Sequence, residues 1–388
     1  HKAFSRFRIY LHEKCGLVPD DEISVLRKSR IIVPHEDGFR FSHKYVFYFY
    51  SAKYIAENLS DTEGKESLQY LCENLHTDKN ANILIFVTHH TKKQEVIDEI
   101  LANTICIFDD VKETVLSIED TEFMSDVLEH IPALVIEQRD VEAERQRRLE
   151  TRDTLDKFSL EDDQQEETES SKELVGSTVL ADINRSAKVI ELIGQILRNR
   201  HGSLKIGQLQ ELAESAYSVG LRFLHFYLDI VSSQETEIIN FVKKLLEDNT
   251  KLTDEELTAK TKQFYLRFCY GMTFSIIKKI SESTGHERII NILDNISSEK
   301  PDSVAIKLIN LMTKLEFTKV IPKKHISDLI KEFSGNSIAE RLLKEIVIQH
   351  LYLHYLDVKD KQWIASTLGI SMDAQRQISA QKKTKMLM

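Results

Sequence analysis

Residues 253–285, "TDEELTAKTKQFYLRFCYGMTFSIIKKISESTG", run from a capping residue, Thr253 or Asp254, to a terminal glycine without a single proline. A stretch of that length with no breaker has few alternatives to one long α-helix. The rest of the chain is built in the same way. Only 12 glycines and 5 prolines punctuate its 388 residues, and Leu, Ile, Glu and Lys dominate. That balance favours helices over a sheet protein, which would need many turns. The expected fold is mainly α.

Upstream of this helix the patterns "LADINRSAKVIELIGQILRNRHG", "QLQELAESAYSVGLRFLHFYLDIV" and "TEIINFVKKLLEDN" read as further helices. Downstream, Gly285, Pro301, Pro322 and Gly335 separate others, ending in "MDAQRQISAQKKTKML". No fixed-period repeat of the tetratricopeptide or ankyrin kind is present. Residues 178–388 are therefore expected to form an irregular, solenoid-like α-helical array.

The N-terminal part has a different order. "AFSRFRIYLHEKCGL" spaces Phe4, Phe7, Ile9 and Leu11 as a helix that stops at Gly16. "PDDEISVLRKSRIIV" predicts a second helix, capped by Asp20 or Asp21 after Pro19, with Ile23, Val25 and Leu26 inward, feeding a short β-branched strand. "PHEDG" is a turn, "FRF" a returning strand, and "SHKYVFYFYSAKYIAENL" a helix capped by Ser42. Helix, helix, strand, turn, strand, helix is a winged-helix order, expected over residues 1–60. Residues 61–136 carry four shorter helical patterns closed by Pro132, read as a helical domain. Residues 137–156 are almost wholly charged, as in a solvated helix, and "LEDDQQEETESSKE" is too poor in apolar groups to offset the entropy of ordering it. Residues 137–177 are expected to be a charged helix and a flexible acidic linker.

"GFRFSHKYVFYFYSAKYIAENL" also resembles the end of the winged-helix domain in STAND NTPases of the NACHT and NLR-like type. There an aromatic-x-F-x-H wing strand enters an aromatic helix. Phe39, Phe41, His43, Phe47, Phe49 and Ala52 match that pattern, while Tyr48 and its neighbours replace the usual Gln-Glu pair, as in tyrosine-rich bacterial members. The resemblance is specific over about residues 5–60. It implies that His43 reaches the β-phosphate of an ADP held by a preceding P-loop domain and thereby stabilises the closed, inactive form. An imidazole N–H can donate to an anion, and such charge-assisted bonds are about twice as strong as neutral ones. From the residues alone, the competing reading is that His43 caps the wing and packs beneath Tyr45 and Phe47.

No G-x-x-x-x-G-K-[ST] occurs, and "TEGKES" at residues 62–67 lacks the first glycine and the preceding strand. This chain by itself is not expected to hydrolyse ATP or to hold a cofactor; ATP or ADP with Mg belongs to the full-length protein that the resemblance implies. A start at His1, within an amphipathic pattern and without methionine, suggests a longer polypeptide.

His350 and His354 stand one helical turn apart, as in a two-histidine metal face, but Leu351 occupies the place of the glutamate in H-E-x-x-H, so ordinary core or surface histidines are the preferred reading. His89 and His90 read as polar residues near the last carbonyls of a helix. Arg27, Lys28 and Arg30 have the chemistry of phosphate contacts on a DNA-reading helix. Arg198, Arg200, His201 and Lys205 form either a small basic recognition surface or a solvated helix end.

A net charge of −10 and a pI of about 5.8 argue against nucleic acid and anionic membrane and for protein partners. Cys15, Cys72, Cys106 and Cys269 form no C-x-x-C pair, and neither a signal peptide nor a membrane-spanning apolar run is visible. The expected location is cytoplasmic, with reduced thiols. The functional expectation is the regulatory and sensor region of a STAND NTPase in antiphage innate immunity, binding a protein trigger, switching an effector and self-associating through the upstream domain. The alternatives are a winged-helix DNA-binding regulator with a helical ligand or dimerisation domain, and an α-solenoid adaptor.

Overall fold

The computed structural model describes residues 19–35, 38–128, 134–137, 139–166, 176–249, 253–318 and 320–372. Among them lie sixteen α-helices, one 3-10 turn and four short strands, so the chain is mainly helical as expected. The first expected helix, Pro132, the acidic residues beyond Glu166 and all but the first residue of the last expected helix lie outside the described set. Two compact units are present, residues 1–74 with 79–99, and residues 75–78 with 100–388. That division places one boundary at Glu99, whereas the sequence pattern suggests boundaries at 60, 136 and 177.

In the first unit, α1 (Pro19–Lys28) leads into a hairpin of β1 (Ile32–His35) and β2 (Gly38–Phe41). The strands are antiparallel, with Ile32 opposite Phe41 and His35 opposite Gly38. α1 ends in a Schellman arrangement: Ile31 N donates to Leu26 O at 2.9 Å and Arg30 N to Arg27 O at 3.0 Å, with Arg30 at φ 55° where glycine is usual. Ile23 and Leu26 are half-buried, but Val25 is 54% exposed. The expectation that Val25 faces inward fails because a residue two places from Ile23 is rotated by about 200° around a helix.

α2 (Lys44–Glu57) buries Tyr48, Ala52, Ile55 and Ala56, the i, i+4, i+7 face of a helix. Its N-cap is His43, not Ser42 as expected. The N–H of Ser42 donates to Ile31 O at 2.9 Å, which keeps Ser42 in the hairpin ladder and moves the helix start one residue on.

α3 (Thr62–Glu73), α4 (Asp78–His90) and α5 (Gln94–Ile105) follow. Gly64, in the P-loop-like "TEGKES", lies in the first turn of α3, where a Cβ would sit 2.0 Å from Asn58 O and 2.4 Å from Asn58 C. Its role is to let α3 approach the end of α2. Gly64→Ala is expected to cost about 2 kcal/mol, since the obstructing atoms are backbone; a urea unfolding curve unchanged from wild type would contradict this.

In the second unit, α6 (Ile118–Leu128), α7 (Val141–Glu166), α8 (Gly176–Arg200), α9 (Ile206–Ser233), α10 (Glu235–Asn249) and α11 (Asp254–Thr284) precede a 3-10 turn at Glu287–Ile289. Then come α12 (Ile290–Glu299), α13 (Val304–Phe317), α14 (Lys323–Glu332), α15 (Ser337–Leu353) and α16 (Val358–Leu368). Thr253 caps α11 through a capping box with Glu256. In a solenoid each repeat meets only its chain neighbours. Here α11 meets α6, α8, α9 and α13 besides α10, so it is the hub of a bundle. Tyr265, Leu266, Ile277 and Ile280 of α11 are fully buried there.

The charged helix α7 is not wholly solvated. It packs on α15, and β3 (Val135–Ile136) just before it pairs in parallel with β4 (Ser371–Met372). Arg145 Nε donates to Leu353 O at 2.8 Å, and Arg139 lies 4.5 Å above the Tyr352 ring. Its arginines thus have long-range partners that a local charge pattern does not reveal.

Candidate functional site

The wing joint is made by β2 and the start of α2. Phe41 stacks on Tyr50 with centroids 6.0 Å apart and lies 6.1 Å from Phe47. These rings brace the strand against the helix, and the residue between them, His43, has extended backbone (φ −132°, ψ 137°). Its side chain is exposed and makes no capping hydrogen bond. Tyr48 is buried, whereas Tyr45, Phe49 and Tyr54 are exposed. An exposed imidazole next to a rigid aromatic brace is available as a hydrogen-bond donor to a group outside this unit.

The other sequence-marked residues are dispersed. Arg27 and Lys28 are exposed at the end of α1, with Arg27 5.5 Å above the Phe39 ring, and Arg30 is the left-handed residue that ends that helix. His90 meets the Phe49 ring edge-on at 4.7 Å, and burial followed by Lys53 pushes its pKa down, while its neighbour His89 is exposed. Cys72 and Cys269 are buried and free, Cys106 is exposed and free, and burial pushes the Cys269 thiol up to about 12. These two buried thiols are poor nucleophiles.

His350 and His354 do come together, with rings stacked at 4.2 Å, but their neighbours do not make a metal site. Among the described residues no group of three or more His, Cys, Asp or Glu is arranged to hold an ion. His354 instead lies 3.8 Å from Glu316 on α13, an ion-pair distance and too long for a hydrogen bond. Arg148 of α7 bridges Glu282 of α11 at 2.6 Å and Glu316 at 3.3 Å. These groups line an open crevice of about 430 Å³ with Arg145, Leu149 and Phe317. No sequence spacing pointed to this crevice, because its lining comes from three helices.

The cluster has a pH signature. His354 and Arg148 hold the Glu316 carboxyl at about 2 against the opposing effect of burial, and burial followed by His354 pushes His350 down to about 4. A depressed carboxylate contributes stability above its unfolded value that is lost as pH falls through the folded one. A histidine kept neutral likewise loses stability as pH falls from its unfolded value toward its folded one. Stability is therefore expected to drop first between pH 6.5 and 4 and then between pH 4.5 and 2, by no more than about 3 kcal/mol at each step. Denaturant midpoints measured against pH check this; Glu316→Gln should remove the lower step, and a flat wild-type profile would contradict it.

No protein-family model, no curated protein and no solved structure matches this chain. Among the described residues no helix is long and apolar enough to cross a membrane.

Proposed function

We propose that this chain is the regulatory and sensor region of a nucleotide-switched STAND NTPase acting in innate antiphage immunity. The observation that carries the reading is the order β1, β2, α2 with an exposed His43 at the joint. In this reading residues 1–60 form the winged helix, and the following helices link it to a helical array that binds a protein trigger. A P-loop domain on the N-terminal side of His1 in the natural polypeptide holds ADP or ATP with Mg, and His43 donates to the β-phosphate of ADP. The chain's own contribution is positional: the hairpin ladder, extended by the Ser42 N–H, and the Phe41–Tyr50 stack fix where the imidazole stands.

Trigger binding opens the protein only if the trigger prefers the open state, because a ligand of equal affinity for both states shifts nothing. Opening releases the winged helix, the NTPase domains self-associate, and the effector turns on. Losing one charge-assisted hydrogen bond shifts such an equilibrium by about tenfold or more. In the full-length protein His43→Ala is therefore expected to raise effector activity without trigger by about that factor. Basal activity equal to wild type would count against the switch role.

A further inference from the structure

The basic run after α8 acquires partners from a distant segment. His201 Nδ1 lies 2.8 Å from Arg198 O, so Nδ1 carries the proton and donates, leaving Nε2 as an acceptor. Arg288 Nη1 lies 3.4 Å from that Nε2. The N–H of Arg288 donates to His286 Nδ1 at 3.2 Å, which leaves His286 with its proton on Nε2. The two imidazoles stack at 4.7 Å, 27° from parallel. Two loops 85 residues apart thus hold an exposed guanidinium beside two stacked histidines.

None of the ion pairs among the described residues includes Arg288, His201 or His286. Glu287 adjoins His286 in sequence without pairing to Arg288, Glu191 pairs with Lys279, and Glu282 pairs with Arg148. Arg198 donates to the carbonyls of Glu282 and Ser283 at 3.1 and 2.7 Å and acts electrostatically on His286. Burial, then His201, lowers the pKa of His286 against the opposing Glu287 carboxylate, and Arg288 and Arg198 add to the lowering.

We infer that His201, His286 and Arg288 form a binding site for a phosphate monoester dianion. A guanidinium presents a planar fork of donors that suits a tetrahedral oxyanion, and the His286 Nε2–H adds a second direction. This inference is independent of the nucleotide-switch reading, which concerns the other unit.

The test uses the full chain and the histidine ring resonances in NMR, with inorganic phosphate as probe at constant ionic strength. Saturable movement of the His201 and His286 signals, weakened about tenfold or more in Arg288→Gln, is the expected result. No saturable movement, or equal movement in Arg288→Gln, overturns the inference. Arg288 is exposed, so this substitution should leave the fold intact, and unchanged resonances of His350 and His354 would verify that. A phosphoserine peptide binding about tenfold more tightly than free phosphoserine identifies a phosphorylated protein as the source, and equal affinities identify a small phosphate ester.

Discussion

Gly194→Ala is expected to lower the stability of the helical bundle by about 3 kcal/mol, near the upper end of what overpacking costs. A Cβ at this position in α8 would stand 2.1 Å from the carbonyl oxygen of Ser283, 2.6 Å from its carbonyl carbon and 3.2 Å from its Cα. All three are backbone atoms of α11, so no rotamer change relieves the overlap and the two helices must separate. Separation also stretches the bonds from Arg198 to the carbonyls of Glu282 and Ser283, which cap the end of α11. The control is Gly271→Ala in α11, where a Cβ meets nothing within 4 Å. There the exchange should stabilise by about 0.5–1 kcal/mol, the ordinary gain of alanine over glycine in a helix. Urea midpoints moving in opposite directions support the packing account, and equal shifts in the two variants contradict it.

Arg148→Met is expected to loosen α7 while leaving the bundle beneath it folded. Arg148 is the common partner of Glu282 and Glu316, and all three side chains are between 22 and 31% exposed. Removing it leaves two carboxylates facing a crevice, with Lys278 at 3.8 Å from Glu282 and the His354 ring at 3.8 Å from Glu316. Breaking a fully buried pair costs about 3–5 kcal/mol, and partial exposure brings this to about 2 kcal/mol, or roughly thirtyfold faster local opening. Among the residues of α7 whose burial is described, Val141 is 8% exposed and Leu149 is 55% exposed. Amide exchange over residues 141–154 should accelerate while α9 stays protected. Unchanged exchange in α7 would show that the arginine bridge is not what holds it.

Local features of the fold were legible because they depend on near neighbours in sequence. The helix that begins after Thr253 or Asp254, the aromatic helix over residues 44–57 and the two strands around Gly38 all follow from spacing over a few residues. The misreadings share a cause. Ser42 looks like a cap until Ile31 claims its N–H. The charges of 137–156 look solvated until Glu282, Glu316 and Leu353 arrive from residues far along the chain.

The same limit applied to the candidate sites. His43 was marked by a strand-to-helix pattern and stands exposed at that joint. His201 was marked only as part of a basic run, and its stacking on His286 depends on how α8 and α11 end beside each other. His350 and His354 were read correctly as neighbours from their one-turn spacing, but Glu316 was not foreseen because it belongs to another helix.

The most direct measurement is the dissociation rate of ADP from the full-length protein carrying His43→Ala, compared with wild type. Release about ten- to a hundredfold faster is expected, the equivalent of one lost charge-assisted hydrogen bond to phosphate. A rate indistinguishable from wild type would mean that His43 does not touch the nucleotide, and the proposed switch would have no contact through which to operate.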